Sequence, residues 1–167
     1  MLTTFIALAA AAAPASAHQQ AVEQAIYDIC PRAIAGTLAF EDAAQVAAAG
    51  YRPAPARDTP GGAMPQIGRG EGTERILISV RRQDGSATCA VWFGGPENRA
   101  LLRAVRARAR SAGYRGGSPV RLGDNTPIQL LRQRRGGRLS LTIIEGNAGG
   151  DLTFEPVTTV ITMTNAD

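Results

Sequence analysis

Lysine is absent from this chain, and all 18 basic side chains are arginine. That excludes Schiff-base chemistry and Ser-Lys dyads, both of which need an amine. The arginine-only usage itself reads as codon preference in a GC-rich genome. Histidine is almost absent too. His18 is the single example, so no core imidazole exists for a Ser-His or Cys-His arrangement. Cysteine occurs twice, at Cys30 and Cys89, and the spacing is not that of a Cys-x-x-Cys redox motif. Aromatics make up 5% of the residues, too few for a base-stacking nucleic-acid surface. No Gly-x-Ser-x-Gly elbow, His-Glu-x-x-His motif or Walker loop occurs. The run Gly68-Arg69-Gly70-Glu71-Gly72 follows a Pro/Gly stretch and precedes a strand pattern, so it lacks the strand-to-helix context of a phosphate loop.

What is present begins with an export signal. Residues 1–17 run apolar from Phe5 to Ala13, then Pro14 and the small-residue ending Ala15-Ser16-Ala17. That is an h-region with a cleavage site, too short for a membrane span. No later run is long and apolar enough to cross a bilayer as a helix, so no transmembrane anchor is expected. Cleavage near Ala17 predicts a periplasmic or secreted protein starting at His18, with residues 18–167 as one domain. In that oxidising setting Cys30 and Cys89 are expected to form a structural disulfide. A terminal histidine can chelate copper through its amine and ring, but such sites want a second histidine, which is lacking. The terminus is therefore read as frayed, and no metal or cofactor is expected.

Periodicity then gives the elements. Val22, Ala25, Ile26, Ile29 and Cys30 share one face of a helix over 19–30, and Pro31 is expected to end it. A second helix is expected at about 40–49, with Glu41 and Asp42 in its first turn and Gly50 closing it. Residues 53–72 hold nine prolines and glycines and read as one long surface loop. Ile76, Ile78 and Val80, an Asp84-Gly85 turn, and Cys89, Val91 and Phe93 spell a β-hairpin. A third helix opens at Gly94-Gly95-Pro96-Glu97 and stops at Gly113. A hairpin over 128–145 turns at Gly136-Gly137, and a last strand covers 152–164, bent at Pro156. The expected order is α-α-β-β-α-β-β-β: an α+β fold with a mostly antiparallel sheet of about five strands covered by two to three helices. Ala48-Ala49-Gly50-Tyr51-Arg52 is echoed by Ser111-Ala112-Gly113-Tyr114-Arg115. A duplicated helix–hairpin unit and repeated use of one C-cap both account for this.

Charge is the feature above background. From Arg99 to Arg138 there are eleven arginines against the single acid Asp124, a net of +10. The rest of the chain has seven arginines against thirteen acids, a net of −6. At 100° per residue, Arg99, Arg103, Arg106 and Arg110 fall within about 60° of one another, apart from Leu101, Leu102, Val105 and Ala109. Together with Arg132, Arg134 and Arg135 they form the candidate site for an anionic partner, since guanidinium forks suit carboxylate and phosphate. Glu41, Asp42, Glu71 or Glu74 are the acids of the same chain that can pair the stripe. Glu145, Asn147 and Asp151 gather around one turn, but their spacing is not that of a calcium loop.

The expectation is a non-enzymatic binding or accessory module that shows this face to an acidic protein or an anionic envelope polymer, such as a lipopolysaccharide phosphate or an acidic glycan. Nucleic acid fits the charge but not export. The alternative is a small exported hydrolase using carboxylates, with or without a metal, beneath a lid formed by 53–72. A structural role with incidental charge is the third option.

Overall fold

A computed structural model describes residues 15–59, 62–94, 98–121, 127–133, 139–145 and 159–165. The fold is α+β, and the described residues form a mostly antiparallel sheet of nine strands with few helices. The sheet therefore has more strands than the five expected. The expected turn at Gly136-Gly137, the bend at Pro156, Arg134, Arg135, Asn147, Asp151 and most of the export signal lie outside the described residues.

The N-terminal helical segment carries α1 (Ala17–Gln24), a π-helical turn (Ala25–Ile29) and α2 (Cys30–Ile34). Pro31 does not end it, contrary to the sequence reading. A proline lacks the N–H that an α-helix needs, and its ring crowds the carbonyl four residues back. Widening the preceding turn relieves both, and the Cys30 N–H reaches back to the Ala25 carbonyl. In the uncleaved chain His18 is helical. It lies in α1, whose N-cap Ser16 accepts the Gln19 N–H, and its Nε2 donates to the Gly94 carbonyl at 2.8 Å.

The second helix, α3 (Ala43–Ala48), is shorter than predicted because Asp42 is its N-cap and not part of its first turn. The Asp42 carboxylate accepts from the Ala44 and Gln45 N–H groups, at 3.0 Å each, and from the Gln45 side chain at 2.8 Å. Gly50 closes α3 at φ +82°, with Gly50 and Tyr51 N–H groups returning to Ala47 and Val46. This is the left-handed cap the sequence called for.

The largest correction concerns 53–72. The region holds β1 (Arg52–Thr59) and β2 (Gly62–Arg69), an antiparallel pair at one edge of the sheet. Edge strands tolerate proline because one row of N–H groups faces no neighbour. Pro53 and Pro55 use that freedom. Pro65 sits where the register shifts between Ala54 and Arg57, so the irregularity absorbs it. A 3₁₀ turn (Gly72–Glu74) then leads into β3 (Ile76–Gln83), which pairs with β4 (Ser86–Phe93) across Asp84 and Gly85, at φ +51° and +80°. The lid that the hydrolase reading needed is thus two strands of the sheet.

After α4 (Asn98–Ser111) come β5 (Tyr114–Gly116), β6 (Val120–Arg121), β7 (Pro127–Gln133), β8 (Leu139–Glu145) and β9 (Thr159–Asn165). The strand order is β1-β2-β3-β4-β9-β8-β7-β5, with β6 pairing β7. Each half runs from edge to centre in chain order, and the halves meet antiparallel at β4 and β9. Gly50-Tyr51-Arg52 and Gly113-Tyr114-Arg115 both lie where a helix hands over to an edge strand, which is the structural content of the sequence echo.

One face of the sheet carries the core. Ile76, Ile78, Val80, Cys89, Val91, Phe93, Leu141, Ile143, Ile161 and Met163 meet Val22, Ala25, Ile26 and Ile29 together with Leu101, Leu102, Val105 and Ala109. Those are the helix faces that periodicity assigned. Leu77 and Trp92, on the opposite face, form a small second cluster. Cys30 and Cys89 are bonded, with Cα atoms 5.5 Å apart, and staple α2 to β4. Arg82 reinforces the same junction by donating to the Ala33 carbonyl near the end of α2. Tyr27 joins the π-helical turn to α4 by donating to the Val105 carbonyl at 2.7 Å. Burial, with Tyr114 and Glu23 nearby, holds its ionisation well above the ordinary phenol value, so it remains a neutral donor. No described helix is long and apolar enough to cross a membrane.

Two outcomes follow. The disulfide spans a sequence separation of 59, so Cys30→Ser with Cys89→Ser should lower unfolding free energy by about 4 kcal/mol on the chain-entropy account. Urea unfolding measures this, and two free thiols in freshly isolated native protein would contradict the bond. Hydrogen bonds from Gln45 hold the Asp42 carboxyl below its ordinary pKa. A depressed folded pKa stabilises fully above the unfolded carboxyl's range, and the effect is lost as pH falls through the folded value. Asp42→Ala should therefore lower the melting temperature at neutral pH, with the gap from wild type closing below about pH 4. A gap that stays constant with pH would refute the charged cap.

Candidate functional site

The stripe on α4 exists, but its four members differ. Arg99, Arg103 and Arg110 are exposed, and their side chains make no hydrogen bond or ion pair with described residues. Arg106 is tied down. Its Nε donates to the Gln129 Oε1 at 2.9 Å and its terminal nitrogen to the Glu145 carboxylate, in a half-buried pair. Glu145 was read as part of a loop cluster. Here it projects from the helix-facing side of β8 and neutralises one arginine of the stripe. Glu71 pairs instead with Arg52 at 3.3 Å, and Asp42 caps α3, so neither serves the stripe.

Arg132 takes a different position from the helix arginines. It lies on β7 directly opposite Arg115 of the edge strand β5. Like charges facing each other across a ladder are unfavourable. Arg115 turns back toward the helix, donating to the Arg110 carbonyl at 2.5 Å and to the Tyr114 carbonyl at 2.8 Å. Both acceptors are neutral, so no described residue compensates the charge of Arg115. The basic surface thus runs from α4 around the β5 edge.

Between α4 and that edge lies a groove of about 540 Å³, where Arg106, Arg110 and Arg115 converge beside Tyr114 and Leu131. Its wall depends on Gly116. A Cβ there would overlap the Leu130 carbonyl oxygen and crowd the Leu131 side chain, so glycine is what lets β5 approach β7. Gln129 braces the other side, accepting from Arg106 and donating to the Gly117 carbonyl at 2.8 Å. Burial raises the Tyr114 hydroxyl's pKa, keeping it neutral beside the arginines.

Arg115 and Gln129 were not singled out from sequence as site residues. The Gly-Tyr-Arg echo was the available signal for Arg115. Gln129 had none, because its role comes from a cross-sheet position. Among the described lining residues, two smaller grooves of about 340 and 220 Å³ each include one carboxylate, Glu71 and Glu41 respectively, while the α4–β5 groove has none. Among the described residues no group of three or more His, Cys, Asp or Glu is placed to hold a metal ion. Comparison of the chain with protein-family models, curated proteins and solved structures finds no match.

The pair beneath the groove gives a direct test. Arg106 and Glu145 are 21% and 29% exposed, so Glu145→Gln removes a charge-assisted bond and should cost about 1–2 kcal/mol in urea unfolding. Adding Arg106→Gln should cost less than the two single changes together, because the partners are coupled. Strict additivity would contradict a formed pair.

Proposed function

We propose that the chain is an exported, non-enzymatic binding module whose α4 arginines meet an anionic partner of the cell envelope. One observation carries the reading. Arg99, Arg103 and Arg110 stand exposed on one helix without any described acid beside them, whereas Arg32, Arg52 and Arg106 each hold a carboxylate of the same chain. Three cations repelling one another along a helix face are stabilised by a polyanion laid across them. The Cys30–Cys89 bond supports an oxidising compartment, and the apolar run with its small-residue ending supports delivery there by a cleaved signal. A periplasmic or secreted address makes an acidic glycan or lipopolysaccharide phosphate a more accessible partner than nucleic acid.

The test is affinity capture from an envelope extract with the mature protein and an Arg99→Gln, Arg103→Gln, Arg110→Gln variant. The native bait should retain an anionic component that moderate salt weakens and the triple variant loses. Retention of the same material by both baits, or by neither, would contradict the reading.

A further inference from the structure

The α4–β5 groove narrows the class of anion. We infer that it is a pocket for a phosphate monoester carried on a sugar-sized body, an assignment that rests on the basic face meeting an anion.

Charge counting gives the head group. Three guanidinium groups line the groove, but Glu145 neutralises that of Arg106. Arg110 makes no side-chain bond with a described residue, and Arg115 bonds only to main-chain carbonyls. Two positive charges remain that no described residue compensates, and none of the described lining residues is a carboxylate. A carboxylate, a sulfate ester or a phosphodiester brings one negative charge. A phosphate monoester brings nearly two at neutral pH, its second pKa lying at about 6, and offers three acceptor oxygens to the two forks.

Volume and lining give the body. The groove's volume, about 540 Å³, falls within the range of small-molecule sites, roughly 300–1,000 Å³. A phosphate alone leaves most of it empty. Tyr114, Leu131 and Pro119 supply apolar surface, and the chain at Gly116, Gly117 and Ser118 supplies polar surface beside them. This alternation suits a pyranose, with C–H faces and hydroxyl edges, better than an acyl chain. Gln129 already spends its amide on Arg106 and Gly117, so it holds the groove's shape.

Calorimetric titration with glucose 6-phosphate tests this, with glucose and glucuronate as neutral and singly charged comparators, and amide chemical shifts locating the contact. Glucose 6-phosphate should bind with shifts at residues 106–119. Binding should tighten as pH rises from about 5 to about 7 with the second phosphate ionisation. Arg110→Gln and Arg115→Gln should each weaken it about tenfold or more, and Arg110→Lys less, because charge survives while the fork is lost. Melting curves identify any variant that has lost its fold; Arg110→Gln removes no side-chain hydrogen bond or ion pair with a described residue. Arg99→Gln with Arg103→Gln should leave this binding unchanged. Pretreating the envelope extract with a phosphatase separates a glycan-borne phosphate from a free sugar phosphate: lost capture marks the first, unchanged capture with intact glucose 6-phosphate binding the second. No binding at millimolar glucose 6-phosphate, equal binding of glucuronate, or shifts elsewhere would overturn the pocket. Capture by the exposed stripe stands or falls separately, on the Arg99→Gln, Arg103→Gln variant, which keeps Arg110 in the groove.

Discussion

The antiparallel ladder between β4 and β9 is the constraint on which the rest of the molecule depends. Its six residue pairs, from Thr88 with Thr164 to Phe93 with Thr159, join two runs of strands into one sheet. Joining them there puts the last strand of each run at the centre and the first at an edge. The faces of α1 and α4 then share one apolar layer over Val91, Ile161 and Met163. The same arrangement leaves β5 as an edge strand beside α4, which brings Arg115 to Arg110.

Charge segregation along the chain becomes geometry through that arrangement. Helix periodicity alone puts arginines on the outside of α4, where water solvates them at little cost. The edge strand changes the situation by adding Arg115, and opposite it Arg132, to the same margin of the molecule. Glu145 offsets only one of these charges. What remains among the described residues is a mutual repulsion, and the proposed function is that an external anion relieves it. The disulfide, the Tyr27 bond to Val105 and the Gly116 approach hold the elements that present the charges.

Elements defined by a strong local period were legible in the sequence. The faces of the first helix and of α4 were read residue by residue, as were the hairpin at Asp84-Gly85 and the caps at Gly50 and Gly113. Proline punctuation was misread twice, for one reason. A proline's cost depends on whether its neighbours need the missing N–H, and that is a property of the fold. Pro31 survives inside a helix because a π-helical turn precedes it. Pro53, Pro55 and Pro65 survive in strands because β1 is an edge and the register slips beside Pro65. The short strands β5 and β6 carry too few residues to show alternation. Within the candidate site, the helix arginines were legible from spacing alone. Arg115, Gln129 and the Glu145 pairing were not, because three separate strands bring them to α4.

The central claim is that the α4–β5 margin holds positive charge that the described residues leave uncompensated. The most direct measurement is the melting temperature of the mature protein against inorganic phosphate at about pH 7.5, with sodium chloride at matched ionic strength as reference. A ligand that binds only the folded state stabilises it saturably. At ten times its dissociation constant, phosphate should raise the midpoint by about 3–5 °C above chloride, and Arg110→Gln with Arg115→Gln should abolish the difference. Identical curves in phosphate and chloride, or a rise that survives both substitutions, would contradict the account.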